Sequence, residues 1–214
     1  MGQRSQIYIR YNINYIRGSA TSNPITENYR GLIARYYQWN YGERMISRAR
    51  SIIEAIKSEF MEYGFMWRQN CYLEKLNRIC DVNFDMRDIV MSTDIIKEIA
   101  EEWGCDCGYI FNQDNNDGQL LIDVTENGIK YCFIPFYNEI EVMNGRDYLV
   151  WNSQGCYDEH MWTETEAPKG IDEETKEYTL ANIDYISGNA ELMTKEEAEE
   201  FINADYSYLF APNF

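Results

Sequence analysis

Residues 1–50 hold the side chains best suited to capturing an anion. They contain eight arginines (Arg4, Arg10, Arg17, Arg30, Arg35, Arg44, Arg48 and Arg50), no lysine, and only Glu27 and Glu43 as acids. The guanidinium fork matches phosphate and carboxylate in a planar, bidentate way that an ammonium cannot. Arg4, Arg10 and Arg35 fall on or beside two expected strands. Arg44 and Arg48 open the helix expected next, where free backbone N–H groups and the positive end of the helix dipole also favour an anion. Gly42, just before that helix, permits close approach to the backbone. These five arginines are the candidate anion site, for a nucleotide, a nucleic-acid phosphate or an acidic partner. The competing use of the same side chains is internal pairing with carboxylates elsewhere in the chain.

Those carboxylates are plentiful. Residues 1–50 sum to +6, whereas residues 51–214 carry 11 basic and 34 acidic residues, or −23, which together give the net −17. Tyr157, Asp158, Glu159, Trp162, Glu164, Glu166, Asp172, Glu173 and Glu174 interleave acids with aromatics. A surface of this kind can imitate the phosphates of a nucleic acid and dock on a host protein with a basic nucleic-acid-binding surface, with association steered by charge. The plain alternative is a solvated acidic surface that confers solubility.

Cys156 and His160, the only histidine, stand four apart and would form a nucleophile–base pair on a helix, but Gly155 and the polar flanks argue for a loop. Cys105-Asp106-Cys107 lacks the second pair that a structural zinc site needs. The stretch from Asn112 to Gly118 has calcium-loop character, but its glycine falls late and no glutamate closes it, so a polar hairpin turn is expected. No metal and no cofactor is expected, and no catalytic residue is assigned.

The net charge argues against direct nonspecific binding to nucleic acid or to an anionic membrane. No apolar run approaches the length that spans a bilayer, and the N-terminus lacks a secretory h-region. Six cysteines in 214 residues are too few for a disulfide scaffold, so reduced thiols and a cytoplasmic setting in a bacterial host cell are expected. The 18 tyrosines suit an amphipathic sheet.

The elements that must position these groups read as α+β. Residues 6–13 alternate as a strand, residues 17–31 read as a loop, and 32–39 as a second strand, making a wide hairpin. Gly42 opens a helix with an apolar stripe at Met45, Ile46, Ala49, Ile52, Ile53, Ile56 and Phe60. Residues 67–80 suggest a second helix, and Thr93 caps a third over 94–103. From Cys107 the period falls to two, and the turns at 115–118, 126–128 and 144–145 predict a five-strand antiparallel meander over 107–151. A polar excursion covers 152–176, a returning strand is expected over 177–186, and Thr194 with Glu197 forms a capping box before a final helix. The division suggested is an N-terminal α+β region, 1–104, bearing the arginines, and an acidic region, 105–214, or one continuous domain.

Gly2, Arg4 and Ser5, with Tyr37, Gln38, Trp39, Asn40 and Gly42 leading into a helix, resemble small uncharacterised phage and prophage proteins that begin MG-x-RS. The resemblance covers the first quarter of the chain. It implies a phage-associated setting and, by association, an inhibitor of host defence of the anti-CRISPR or anti-restriction kind. The leading expectation is therefore a non-catalytic acidic binding protein. The rival is a nucleotide sponge or phosphate-ester enzyme using the arginines, and a self-assembling structural protein is a third reading.

Overall fold

A computed structural model describes residues 3–17, 25–58, 92–154, 156 and 160–211. Six strands form one mixed sheet. β1 (Arg4–Arg17) and β2 (Ile25–Gln38) are an antiparallel hairpin in unbroken register from Arg4 opposite Gln38 to Arg17 opposite Ile25. β1 stops at the first residue of the stretch expected as loop, whereas β2 begins well inside it, at Ile25, where Ile25, Thr26 and Tyr29 are residues that favour a ladder. β3 (Ser92–Asp94) covers the outer edge of β2. On the inner side β1 pairs in parallel with β4 (Gln119–Thr125), which turns back antiparallel into β5 (Gly128–Ile134). β6 (Glu191–Leu192) closes the order β3–β2–β1–β4–β5–β6. One sheet therefore runs through both halves of the sequence.

Helices cover both faces. α1 (Glu43–Ile56), α3 (Gly145–Asn152) and α4 (Glu173–Asn189) lie on one, burying the α1 stripe against Ile7, Ile9, Ile33, Leu120, Ile122 and Phe133. α2 (Ile95–Glu102), α5 (Lys195–Asn203) and the C-terminal 3-10 turn Ser207–Phe210 lie on the other, against Tyr8, Leu32, Ala34, Leu121, Cys132 and Ile134. Successive residues of β1 alternate between these two cores. Burial in the second core pushes the Cys132 thiol up to about 12, which makes it an inert packing group.

The expected five-strand meander is replaced by a single hairpin, β4–β5, within a mixed sheet. Its turn is Glu126-Asn127, with Thr125 facing Gly128. Residues 107–112 open with a 3-10 turn, Cys107–Tyr109, and Ile110 and Phe111 plug the second core without pairing. Tyr8 donates its hydroxyl proton to the Ile110 carbonyl at 2.9 Å, and that buried hydroxyl is held far above its usual titration range. Residues 139–143 contribute only isolated bridges, through Glu139 and Met143.

The Asn144-Gly145 signal marks a helix start. Asn144 accepts from the backbone N–H groups of Arg146 and Asp147, and a Cβ on Gly145 would press on Ile183 and Ile46 at 3.2 and 3.3 Å. The strand expected over 177–186 lies inside α4. Its buried positions are Thr179, Asn182 and Ile186, and two polar residues on the inner face hide the helical period. The final helix has its capping box as expected, and α2 begins one residue later than expected, capped by Asp94. The helix expected over 67–80 and Phe60 lie outside the described residues.

Candidate functional site

The sheet divides the five arginines. Arg4 and Arg10 share the face of Tyr8, whereas Arg35 shares the α1-side face with Ile33 and Tyr37, and Arg48 is buried on α1 itself. Arg4 pairs through Nη1 with Asp114. Arg10 makes a bidentate pair with Asp123 on β4, at 2.9 and 2.7 Å, and its guanidinium lies 4.6 Å from the Phe201 ring centre. The carboxylate overcomes the desolvation that opposes the charge, so Arg10 is held more firmly protonated than an ordinary arginine.

Arg35 lies 3.8 Å from Asp94, its cross-strand neighbour. Arg48 is 3% exposed, donates from Nε to Asn40 Oδ1 at 3.0 Å, and lies 4.6 Å from the Tyr37 ring centre. Arg44 is exposed and donates to the Trp39 carbonyl at 3.1 Å. Among the described residues Arg4, Arg10, Arg35 and Arg48 each have a carboxylate or a buried side chain of this chain as partner, and the sheet keeps Arg4 and Arg10 apart from Arg35 and Arg48.

The acidic stretch has a different fate. Tyr157, Asp158 and Glu159 lie outside the described residues. Trp162 is an internal anchor, 2% exposed. Its Nε1 donates to Glu43 Oε1 at 2.6 Å, and its ring carries the Arg146 guanidinium at 4.9 Å. Arg146 in turn donates to the Thr163 and Glu166 carbonyls at 2.9 and 3.0 Å, tying down the loop that follows.

On this anchored loop and the first turn of α4, Glu164, Glu166, Asp172, Glu173, Glu174 and Glu177 are all exposed. Asp172 caps α4 by accepting from Thr175 N and Oγ1, both at 2.8 Å, and these bonds hold its carboxyl below the usual range. Among the described residues one lysine, Lys176, pairs with this set, at 2.9 Å from Glu173. Tyr178 is 51% exposed beside them, whereas Trp162, also expected on this surface, is buried.

Between the start of α1, the end of α3 and this loop lies a cleft of about 430 Å³. Cys156 and His160 both line it, together with Glu43, Asp117, Trp162 and Thr175. Asp117 is 4% exposed, and burial pushes its carboxyl up. It accepts from Arg4 N at 2.5 Å and from Asn152 Nδ2 at 3.4 Å, and Asn116 Oδ1 shares Arg4 N at 2.7 Å. The stretch expected as a hairpin turn is therefore a clamp on the first residue of β1. The pairing of the cleft carboxylates leaves no local trace in the sequence, because Glu43 and Asp117 lie 74 positions apart.

Among the described residues no group of three or more His, Cys, Asp or Glu side chains is placed to hold a metal. No described helix is long and apolar enough to cross a membrane. Family models, curated proteins and solved structures offer no match to this chain.

Proposed function

We propose that this chain is a non-catalytic acidic binding protein of phage or prophage type. It inhibits a host nucleic-acid-handling defence machine, anti-CRISPR-like or anti-restriction-like, by offering carboxylates where that machine expects phosphates. The observation that carries the reading is the exposed acidic edge at Glu164, Glu166, Asp172, Glu173 and Glu174, anchored from beneath by Arg146, Trp162 and Glu43. A preorganised set of charges loses less ordering entropy on binding than a mobile one.

The arginines do not support the nucleotide reading equally well. Arg10 already has a bidentate carboxylate, Arg48 is buried, and the sheet separates them. An exogenous phosphate would have to displace partners that are already bonded and desolvated.

The test is inhibition of nucleic-acid-guided nucleases and restriction enzymes across a salt series. The five-fold variant Glu164→Gln, Glu166→Gln, Asp172→Asn, Glu173→Gln, Glu174→Gln is compared with the natural chain. The expected result is inhibition that weakens with salt and is lost in the variant. Equal potency of the two chains would discard the acidic edge as the binding face.

A further inference from the structure

The cleft beside the acidic edge has the chemistry of a receptor for an organic cation. Glu43 and Asp117 bring two carboxylates to its lining, and among the described residues neither forms a salt bridge. Among the described residues both accept hydrogen bonds from neutral donors only: Trp162 Nε1 to Glu43, and Arg4 N, Asn152 Nδ2 and the Gln3 side-chain amide to Asp117. Among the described residues Glu43 Oε2 has no hydrogen-bond partner. A carboxylate as buried as Asp117 gains most from a charged donor, because screening by water is weak there.

One feature favours an anion instead. The N-terminus of α1 opens at the cleft, with Gly42 at φ 53° and no side-chain cap. A helix terminus is worth about half a charge and fades within a turn, whereas the two carboxylates are full charges, and Glu43 itself sits in that first turn. The balance is negative. Trp162 and Tyr41 add aromatic lining, and the Trp162 ring already accepts one guanidinium, that of Arg146 at 4.9 Å. The volume of about 430 Å³ accommodates a guanidinium with its alkyl chain.

We propose that this cleft binds an alkylguanidinium, supplied as a free small molecule or as an arginine side chain of a partner polypeptide. The planar group donates hydrogen bonds to the Glu43 and Asp117 carboxylates, and its alkyl stem lies along Leu149 and Ile171. This site shares Glu43 and Trp162 with the anchor beneath the acidic edge, but none of the edge's five exposed carboxylates lines it, so neutralising them leaves the cleft intact.

The experiment is calorimetric titration of the full chain with agmatine, and in parallel with acetyl-Gly-Arg-Gly-amide, with glutarate as the anionic control. Saturable binding at about 0.1–1 mM is expected for a ligand this small. Glu43→Gln keeps an oxygen for Trp162 Nε1 and weakens binding about tenfold or more. In nitrogen-edited NMR the indole N–H signal that moves on titration is the one displaced by Glu43→Gln, which places the ligand in the cleft. The five-fold edge variant binds agmatine as the natural chain does.

Binding of agmatine alone assigns a free metabolite, and binding of the peptide alone assigns a partner's arginine. The proposal is overturned if neither binds up to about 10 mM, if Glu43→Gln and Asp117→Asn both bind as well as the natural chain, or if glutarate binds in their place.

Discussion

The β1–β4 seam and the acidic edge treat charge in opposite ways. At the seam, Arg10 and Asp123 have side chains only 17% and 14% exposed, fixed in a bidentate pair under Phe201. Along the edge, Glu164, Glu166 and Glu174 face solvent on a loop and helix start held by the neutral carbonyls that Arg146 grips. Charge at the seam is structural, because removing either partner strands the other away from water. Charge at the edge contributes little to the fold and is available to a partner.

Substitutions can break that contrast, and the largest effect is expected at the seam. Asp123→Ala leaves the Arg10 guanidinium buried without its carboxylate and should cost about 3–5 kcal/mol, read as a lowered urea midpoint. Asp123→Asn should cost less, since one acceptor oxygen remains. A seam variant as stable as the natural chain would show that Arg10 reaches water.

Next comes the close approach within the hairpin. A Cβ on Gly31 would fall 1.9 Å from the Tyr11 hydroxyl, so Gly31→Val forces the cross-strand ring aside. About 1–3 kcal/mol is expected, and Tyr11→Ala in the same chain should recover part of it.

Helix starts give smaller effects. Asn144→Ala removes an acceptor used by both Arg146 N and Asp147 N, and about 1 kcal/mol is expected.

A pH series sharpens the comparison further. Glu197 is held below the usual carboxylate range, first by its bond to Lys130 and then by Thr194 N. A depressed native value means stability that is present above the ordinary glutamate range and lost as pH falls through the native value. The Tm gap between the natural chain and Glu197→Gln should therefore close on acidification. Asp117 has the opposite sign. Its raised value penalises the fold when ionised, and that penalty lifts as pH falls through the raised native value toward the ordinary aspartate range.

The smallest effect per residue is expected in the five-fold edge variant, within about 0.5 kcal/mol at each exposed site, with Asp172→Asn the largest contributor because it caps α4. Intact folding with lost inhibition is the outcome that separates the edge from the seam.

Legibility of the chain follows the range of the interactions. The stripe from Met45 to Ile56, the Thr194 capping box and the turn between Thr125 and Gly128 were readable because each is decided within a few residues. Asn144-Gly145 misled because the same pair suits a tight turn and an N-cap with a small first residue; Ile183 and Ile46, far along the chain, decide between them. α4 was hidden by Thr179 and Asn182 on its inner face. Whether an arginine faces a ligand or a carboxylate is settled by partners such as Asp114 and Asp123, more than 100 positions away by their numbers, and no local pattern records that. Trp162 looked like a contact residue because it sits among acids, yet the indole is too large and apolar to leave in water when Glu43 and Arg146 offer it a pocket.

The parallel pairing of β1 with β4 has a consequence for biosynthesis. Arg10 and Asp123 are 113 positions apart, so a ribosome adding about 5–20 residues per second needs about 5–20 s to make the second after the first. Until β4 emerges, any β1–β2 hairpin has the inner edge of β1 unpaired, a template for wrong strands from other nascent chains. An uncompensated guanidinium in the middle of that edge strand resists such pairing until the strand bearing its carboxylate arrives. The same ion pair that seals the finished sheet thus serves earlier as a guard on the unfinished one.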